Sequence, residues 1–104
     1  SKEKIAIKEQ LFNMLANENK NNYSLSQFNL YIKLFLDINN QKNFLTYFKQ
    51  NSNYIIDIYK NVDIDDIFGI DKIWDLLFEL DSENLSKKLI NIIMESFYQE
   101  KSGK

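Results

Sequence analysis

The chain has 104 residues, a net charge of −2, 44% apolar and 14% aromatic residues, and neither Cys nor His. That is one domain at most, too rich in core-formers to stay disordered, and it excludes disulfides, thiol nucleophiles, His-based acid–base catalysis and ordinary zinc sites. All 13 basic residues are Lys, so the planar fork that favours phosphate and base-edge recognition is missing and nucleic acid is not an expected partner. No apolar run approaches the length of a membrane span. The first residue is Ser1, which leads us to expect an excised piece of a longer protein. Asn and Ile number fourteen each, a bias expected of an AT-rich genome.

No Pro occurs, and Gly stands only at Gly69 and Gly103. Sheets of this size ordinarily need more turn punctuation than that, so helices joined by Asn/Asp/Ser loops are expected. The first runs from Ser1 to about Asn17, with Ile7, Leu11, Met14 and Leu15 at i, i+4, i+7, i+8 as its stripe and Ile5 and Phe12 beside them. A polar loop follows to Tyr23. Ser24-Leu25-Ser26-Gln27 is a capping-box pattern, a hydroxyl at the cap and an amide three residues on. The helix it opens reaches about Asp37 and is apolar nearly all round, so it should be covered on more than one side. Asn39 to Asn43 reads as the next loop.

Phe44, Tyr47 and Phe48 suggest a short third helix ending near Gln50. Tyr54 to Ile64 is ambiguous. Ile55, Ile58, Tyr59 and Val62 fit a helix, whereas Ile56-Asp57-Ile58 alternates like a strand. A lone strand has no partner, which favours a helix to about Asn61. Ile70, Ile73, Trp74 and Leu77 predict a helix from Ile70 to about Leu80, and Gly69 at its start suits a tight turn or close packing. Asp81 or Ser82 caps a last helix to about Gln99. Its stripe is Leu85, Leu89, Ile92, Ile93 and Phe97, with Ile90, Met94 and Tyr98 on an adjacent face, and residues 100–104 form a tail.

Few residues suggest chemistry. Asp63, Asp65, Asp66 and Asp71 evoke a calcium loop, but counting from Asp63 position six is Phe68 and position twelve is Trp74, where Gly and Glu are required. Acids at a helix start, favoured by its dipole, are the better reading. Trp74 lies on the apolar face of its helix and is expected in the core. Asn22-Tyr23-Ser24 and Asn84-Leu85-Ser86 match a glycosylation sequon by chance in so Asn-rich a chain. Lys87 and Lys88 read as a solvated helix face. No metal, cofactor or catalytic residue is assigned.

Two stretches carry a resemblance. One is Phe28-x-Leu30-x-x-x-x-Phe35-x-x-x-Asn39. The other is Asp65-Asp66-Ile67-Phe68-Gly69-Ile70-Asp71-Lys72-Ile73-Trp74, followed by a polar loop and the helix from Ser82. Over about residues 25 to 98 the chain resembles part of the long helical region of large ubiquitin-specific proteases of the fat-facets type. The resemblance implies an armadillo/HEAT-like fragment outside the catalytic domain of a very large thiol protease that removes ubiquitin. It implies a scaffold that positions ubiquitinated substrates or adaptor proteins, inside the cell and in the cytoplasm. Gly69, Ile70, Asp71 and Trp74 carry over as structural positions, and no catalytic residue does. The expected fold is therefore all-α, four to five antiparallel helices forming either such a superhelix fragment or a small helical bundle. On the second alternative the chain is an unrelated protein-interaction domain with no enzyme attached. A catalytic or ligand-binding domain ranks behind both for want of a nucleophile and a base. Self-association of the isolated piece is expected, through apolar faces left without a neighbour.

Overall fold

The computed structural model describes residues 2–18, 23–51 and 53–101, the last nine of them as helix backbone only. The order is α1 (Lys2–Ala16), α2 (Leu25–Gln41), β1 (Leu45–Gln50), β2 (Asn53–Ile58), a 3-10 turn (Ile64–Asp66), α3 (Ile70–Glu79) and α4 (Glu83–Lys101). The all-α expectation is overturned, and both the superhelix fragment and the helical bundle go with it. Among the described residues four helices accompany an antiparallel hairpin that packs against α2 and α4, paired from Leu45↔Ile58 to Gln50↔Asn53.

The hairpin occupies the segments expected to be the third helix and its successor. Each strand is the partner the other lacked. Tyr54, Ile56 and Ile58 turn inward, while Asn53, Ile55 and Asp57 are exposed, the period of two that marks a half-buried strand. Asparagine supplies the turns that glycine did not. Asn43 has φ 60° and Asn51 has φ 52°, both left-handed, a region Asn enters more readily than other residues with a Cβ.

At Asn43 the geometry is a Schellman ending. Phe44 N–H donates to the Asn39 carbonyl at 2.9 Å and Asn43 N–H to that of Asn40 at 3.1 Å. So α2 does not stop at Asp37; it runs to Gln41 and is closed by the residue that launches β1.

The middle of α2 is the centre of the core. Phe28, Tyr31, Ile32, Leu34, Phe35, Leu36 and Ile38 are all buried, because α1 packs on one side and β1 on another. This cover on more than one side is what its all-round apolar pattern required. The capping box forms as expected, with Gln27 N–H on Ser24 Oγ at 3.1 Å and Ser24 N–H on Gln27 Oε1 at 2.9 Å. Ser82 caps α4 through Leu85 N–H at 3.3 Å.

The first helix is turned relative to expectation. Phe12, Leu15 and Ala16 are buried, while Ile7, Leu11 and Met14 are exposed. Phe12 sits at the centre of the rotated face: its ring is fully buried and stacks on Tyr31 with centroids 4.5 Å apart, a contact the aliphatic side chains of the stripe cannot make. Residues 19–22 of the loop expected up to Tyr23, among them the first sequon's Asn22, the tail beyond Lys101, and the Ile93, Met94, Phe97 and Tyr98 side chains of α4 lie outside the described residues. Among those residues no helix is long and apolar enough to cross a membrane.

Candidate functional site

The segment before α3 is fixed to α2 by one side chain. Asn39 is fully buried. Its Oδ1 accepts Phe68 N–H at 2.8 Å, and its Nδ2 donates to the Phe68 carbonyl at 3.0 Å and to the Phe35 carbonyl at 2.8 Å. The amide thus pairs with both backbone groups of Phe68 as a neighbouring strand would, and its own hydrogen-bonding needs are largely met. The sequence pattern assigns Asn39 to a loop, whereas the structure places it in the last turns of α2. Its place at i+11 on the stripe of Phe28, Ile32 and Phe35 was the available signal that this Asn faces inward.

Gly69 follows the latch, with φ 76°. A Cβ there would lie 2.7 Å from both Cε2 and Cζ of Phe12. The tight turn and the close packing expected of this glycine are therefore both present. Ile70 and Ile73 then point into the core, with Leu76 buried behind them and Leu77 half-buried.

The remaining two motif residues face the other way. Asp71 is exposed. Trp74, expected in the core, is 36% exposed, and Phe78, one turn on, is 83% exposed. The core position one turn from Ile73 belongs to Leu76, which displaces Trp74 to the rim. The motif is thus split. Gly69 and Ile70 anchor α3, whereas Asp71 and Trp74 join Phe78 and Asp75 on its outer side, an aromatic rail beside an acidic one. Neither Asp71 nor Asp75 has an ion-pair partner among the described residues.

The acids of α3 act on the phenols beneath. Burial, then the carboxylates of Glu18 and Glu79, push the Tyr23 hydroxyl up to about 12. Tyr31 rises further, through burial first, with Tyr23 and then Asp71, Asp75 and Glu79 adding to it. Both phenols stay neutral and respond to the negative field of the α3 acids. The Tyr31 hydroxyl is buried with no hydrogen-bond partner among the described residues, while Tyr23 donates to the Leu15 carbonyl.

A second polar cluster ties α1, α2 and β1 together. Asp37 is 3.1 Å from Lys33 Nζ and 3.4 Å from Lys8 Nζ, and it accepts the Tyr47 hydroxyl. Lys33 also lies 4.8 Å from the centre of the Tyr47 ring. Burial works to raise the Asp37 pKa, but hydrogen bonds from Tyr47 and Lys33 and the charges of Lys33 and Lys8 outweigh it, so the carboxyl sits below its ordinary 3.8. Every member is engaged by another, which makes the cluster a clamp between elements.

The acids ahead of α3 hold no metal arrangement. Asp63, Asp65 and Asp66 are exposed, and the described residues contain no group of carboxylates placed to share an ion. Comparison with protein families, with characterised proteins and with solved structures returned no match.

Proposed function

We propose that this chain is a non-catalytic protein-interaction module that docks through the outer side of α3. The observation that carries the reading is the Trp74–Phe78 pair. Two large aromatic side chains stand one turn apart on the solvent side of a short helix already anchored by Gly69, Ile70, Ile73 and Leu76. Paired exposed aromatics of this kind mark interaction sites more often than isolated surface residues do. Asp71 and Asp75 beside them select a partner segment that presents an apolar anchor flanked by Lys or Arg.

The test compares the wild-type chain with Phe78→Ser and with Asp71→Lys/Asp75→Lys as bait for binding proteins. A specific partner should be retained by the wild type, released by rising salt, and lost with both variants. A partner indifferent to both would overturn the docking face. No hydrolysis of a ubiquitin-linked fluorogenic substrate is expected of this chain, and measurable turnover would end the non-catalytic reading.

A narrower form places the module in a large deubiquitinating cysteine protease of the fat-facets type, acting in the cytoplasm on ubiquitinated substrates or adaptors. The Gly69-Ile70-Asp71-x-x-Trp74 segment is what supports it; the solenoid that accompanied that reading is not the observed fold. A protease domain bearing Cys and His boxes in the same reading frame would support it, and a complete frame lacking one would refute it.

A further inference from the structure

A cleft of about 220 Å³ opens between α2, the hairpin and α4, away from the face of α3 described above. Its accessible apolar floor is half-buried Tyr54 of the hairpin and half-buried Ile92 of α4, closed beneath by buried Phe28 and Ile32 of α2. Lys49 and Tyr54 reach it from the inward face of the hairpin, where they are directly paired across the strands, with the Lys49 ammonium 5.7 Å from the Tyr54 ring centre. Lys88 enters from α4. Three amides, Asn29, Asn53 and Asn91, complete the rim, and no carboxylate among the described residues lines it.

Charge is unusually distributed here. The chain as a whole carries −2, yet the charges that the described residues bring to this cleft are two ammoniums. Lys88 is half-buried, and neither it nor Lys49 has an ion-pair partner among the described residues. Its neighbour Lys87 pairs with Glu83 at 3.7 Å on the solvent side, so the pair expected to form one solvated face is divided. A partly desolvated ammonium facing an apolar floor is unfavourable unless an anion joins it. The three amides can turn their NH₂ groups to the same anion.

We propose that this cleft binds a small organic acid, its carboxylate held between Lys49 and Lys88 and its apolar body laid against Tyr54 and Ile92. Size limits the body to about one ring. An engineered cavity of roughly 150 Å³ holds benzene, and the cleft exceeds that by about the volume a carboxylate needs. An inorganic anion would satisfy the ammoniums and leave the floor wet. A neutral ring would cover the floor and leave the ammoniums unpaired. Only a molecule carrying both features meets both walls.

The test is a titration of the full ¹⁵N-labelled chain with phenylacetate, phenylacetamide and inorganic phosphate, followed on the side-chain amides of Asn29, Asn53 and Asn91. Phenylacetate should shift all three saturably, and phenylacetamide should bind about tenfold more weakly or worse, a difference near 1.4 kcal/mol. Phosphate should not saturate over the same range. Lys49→Met and Lys88→Met should each weaken phenylacetate by about fivefold, on the same scale, and Lys88→Arg should retain most of it. Thermal midpoints report that each variant is folded, and exposed Lys49 carries the test if Lys88→Met unfolds the chain. Equal binding of acid and amide, shifts spread over surface lysines without saturation, or indifference to both lysine variants would overturn the proposal. None of these outcomes bears on the α3 face.

Discussion

Gly69→Ala is the sharpest perturbation of the arrangement that presents α3. Two costs arise at one atom. The backbone there has φ 76°, and an L-residue with a Cβ is disfavoured in that region by about 1–2 kcal/mol. The added methyl would also stand 2.7 Å from two atoms of the Phe12 ring. That ring cannot move aside easily. It is fully buried, stacked on Tyr31 at 4.5 Å, with Phe68 at 5.5 Å and Phe35 at 6.5 Å between ring centres. Overpacking of such a site costs about 1–3 kcal/mol. The sum, about 2–5 kcal/mol, is a large share of the roughly 5–15 kcal/mol that holds a domain of this size.

The two costs are separable. Phe12→Leu removes the ring and destabilises on its own account, by about 1–3 kcal/mol of lost packing. In that background the alanine methyl meets open space and only the backbone term survives. The double-mutant coupling should therefore be favourable by the overpacking cost that the ring imposed, about 1–3 kcal/mol. Urea unfolding followed by Trp74 emission and by far-UV circular dichroism measures each corner of the cycle, and agreement of the two probes checks that unfolding is two-state. A Gly69→Ala cost below about 0.5 kcal/mol, within the range of ordinary surface changes, would refute the reasoning. So would a cost that is the same with and without the Phe12 ring.

Three further outcomes follow from the same packing. Asn39→Ala strips three hydrogen bonds and leaves both backbone groups of Phe68 unpaired, a cost of about 3–5 kcal/mol; hydrogen exchange at the Phe68 amide should accelerate with it, and an unchanged rate would mean the latch is not structural. Asp37 has a lowered pKa in the folded state, so its contribution is present above the unfolded value and is lost as pH falls through the folded one. Acid titration of stability should accordingly show a decline setting in near pH 4 and continuing below it, and Asp37→Asn, at a cost of about 1 kcal/mol near neutrality, should flatten that limb; a limb unchanged by the substitution would assign it to other carboxylates. Asn51→Val places a β-branched side chain at φ 52° and should cost about 1–2 kcal/mol, whereas Asn51→Gly should be neutral or slightly stabilising, as read by chemical denaturation.

The helices were legible because each carried a pattern with a mechanism behind it. Ser24 and Gln27 announced α2, Ser82 announced α4, and Gly69 announced a turn against a neighbour. The hairpin was hidden by two substitutions of role. Asn43 and Asn51 do the work for which Gly is the usual signal, so counting glycines undercounted the turns. Tyr54 to Ile58 showed strand alternation, but its partner Leu45 to Gln50 looked helical through Phe44, Tyr47 and Phe48. Register belongs to the pair, and neither strand states it alone. Periodicity also names a face without saying which of two adjacent faces wins. On α1 the aliphatic stripe lost to Phe12, and on α3 Trp74 lost to Leu76. Lys88 in the cleft was beyond reach, because only the meeting of α4 with the hairpin separates it from Lys87.

The exposure of Trp74 follows from how α3 is fastened. A ten-residue helix is marginal by itself, and the usual remedy is to bury its largest side chain. Here the fastening is made before the helix begins, by the Asn39 amide on Phe68 and by Gly69 pressed against Phe12. Ile70, Ile73 and Leu76 complete it from the inner side. With the anchor supplied by a backbone latch and three aliphatic residues, the aromatic pair is not needed for the core. Truncating Phe78 should then leave stability within about 0.5 kcal/mol of the wild type, which allows binding to be altered without altering the fold. The same separation explains why one short motif can hold two structural residues and two surface ones. Gly69 and Ile70 fix the position of α3, and Asp71 and Trp74 are left on its solvent side.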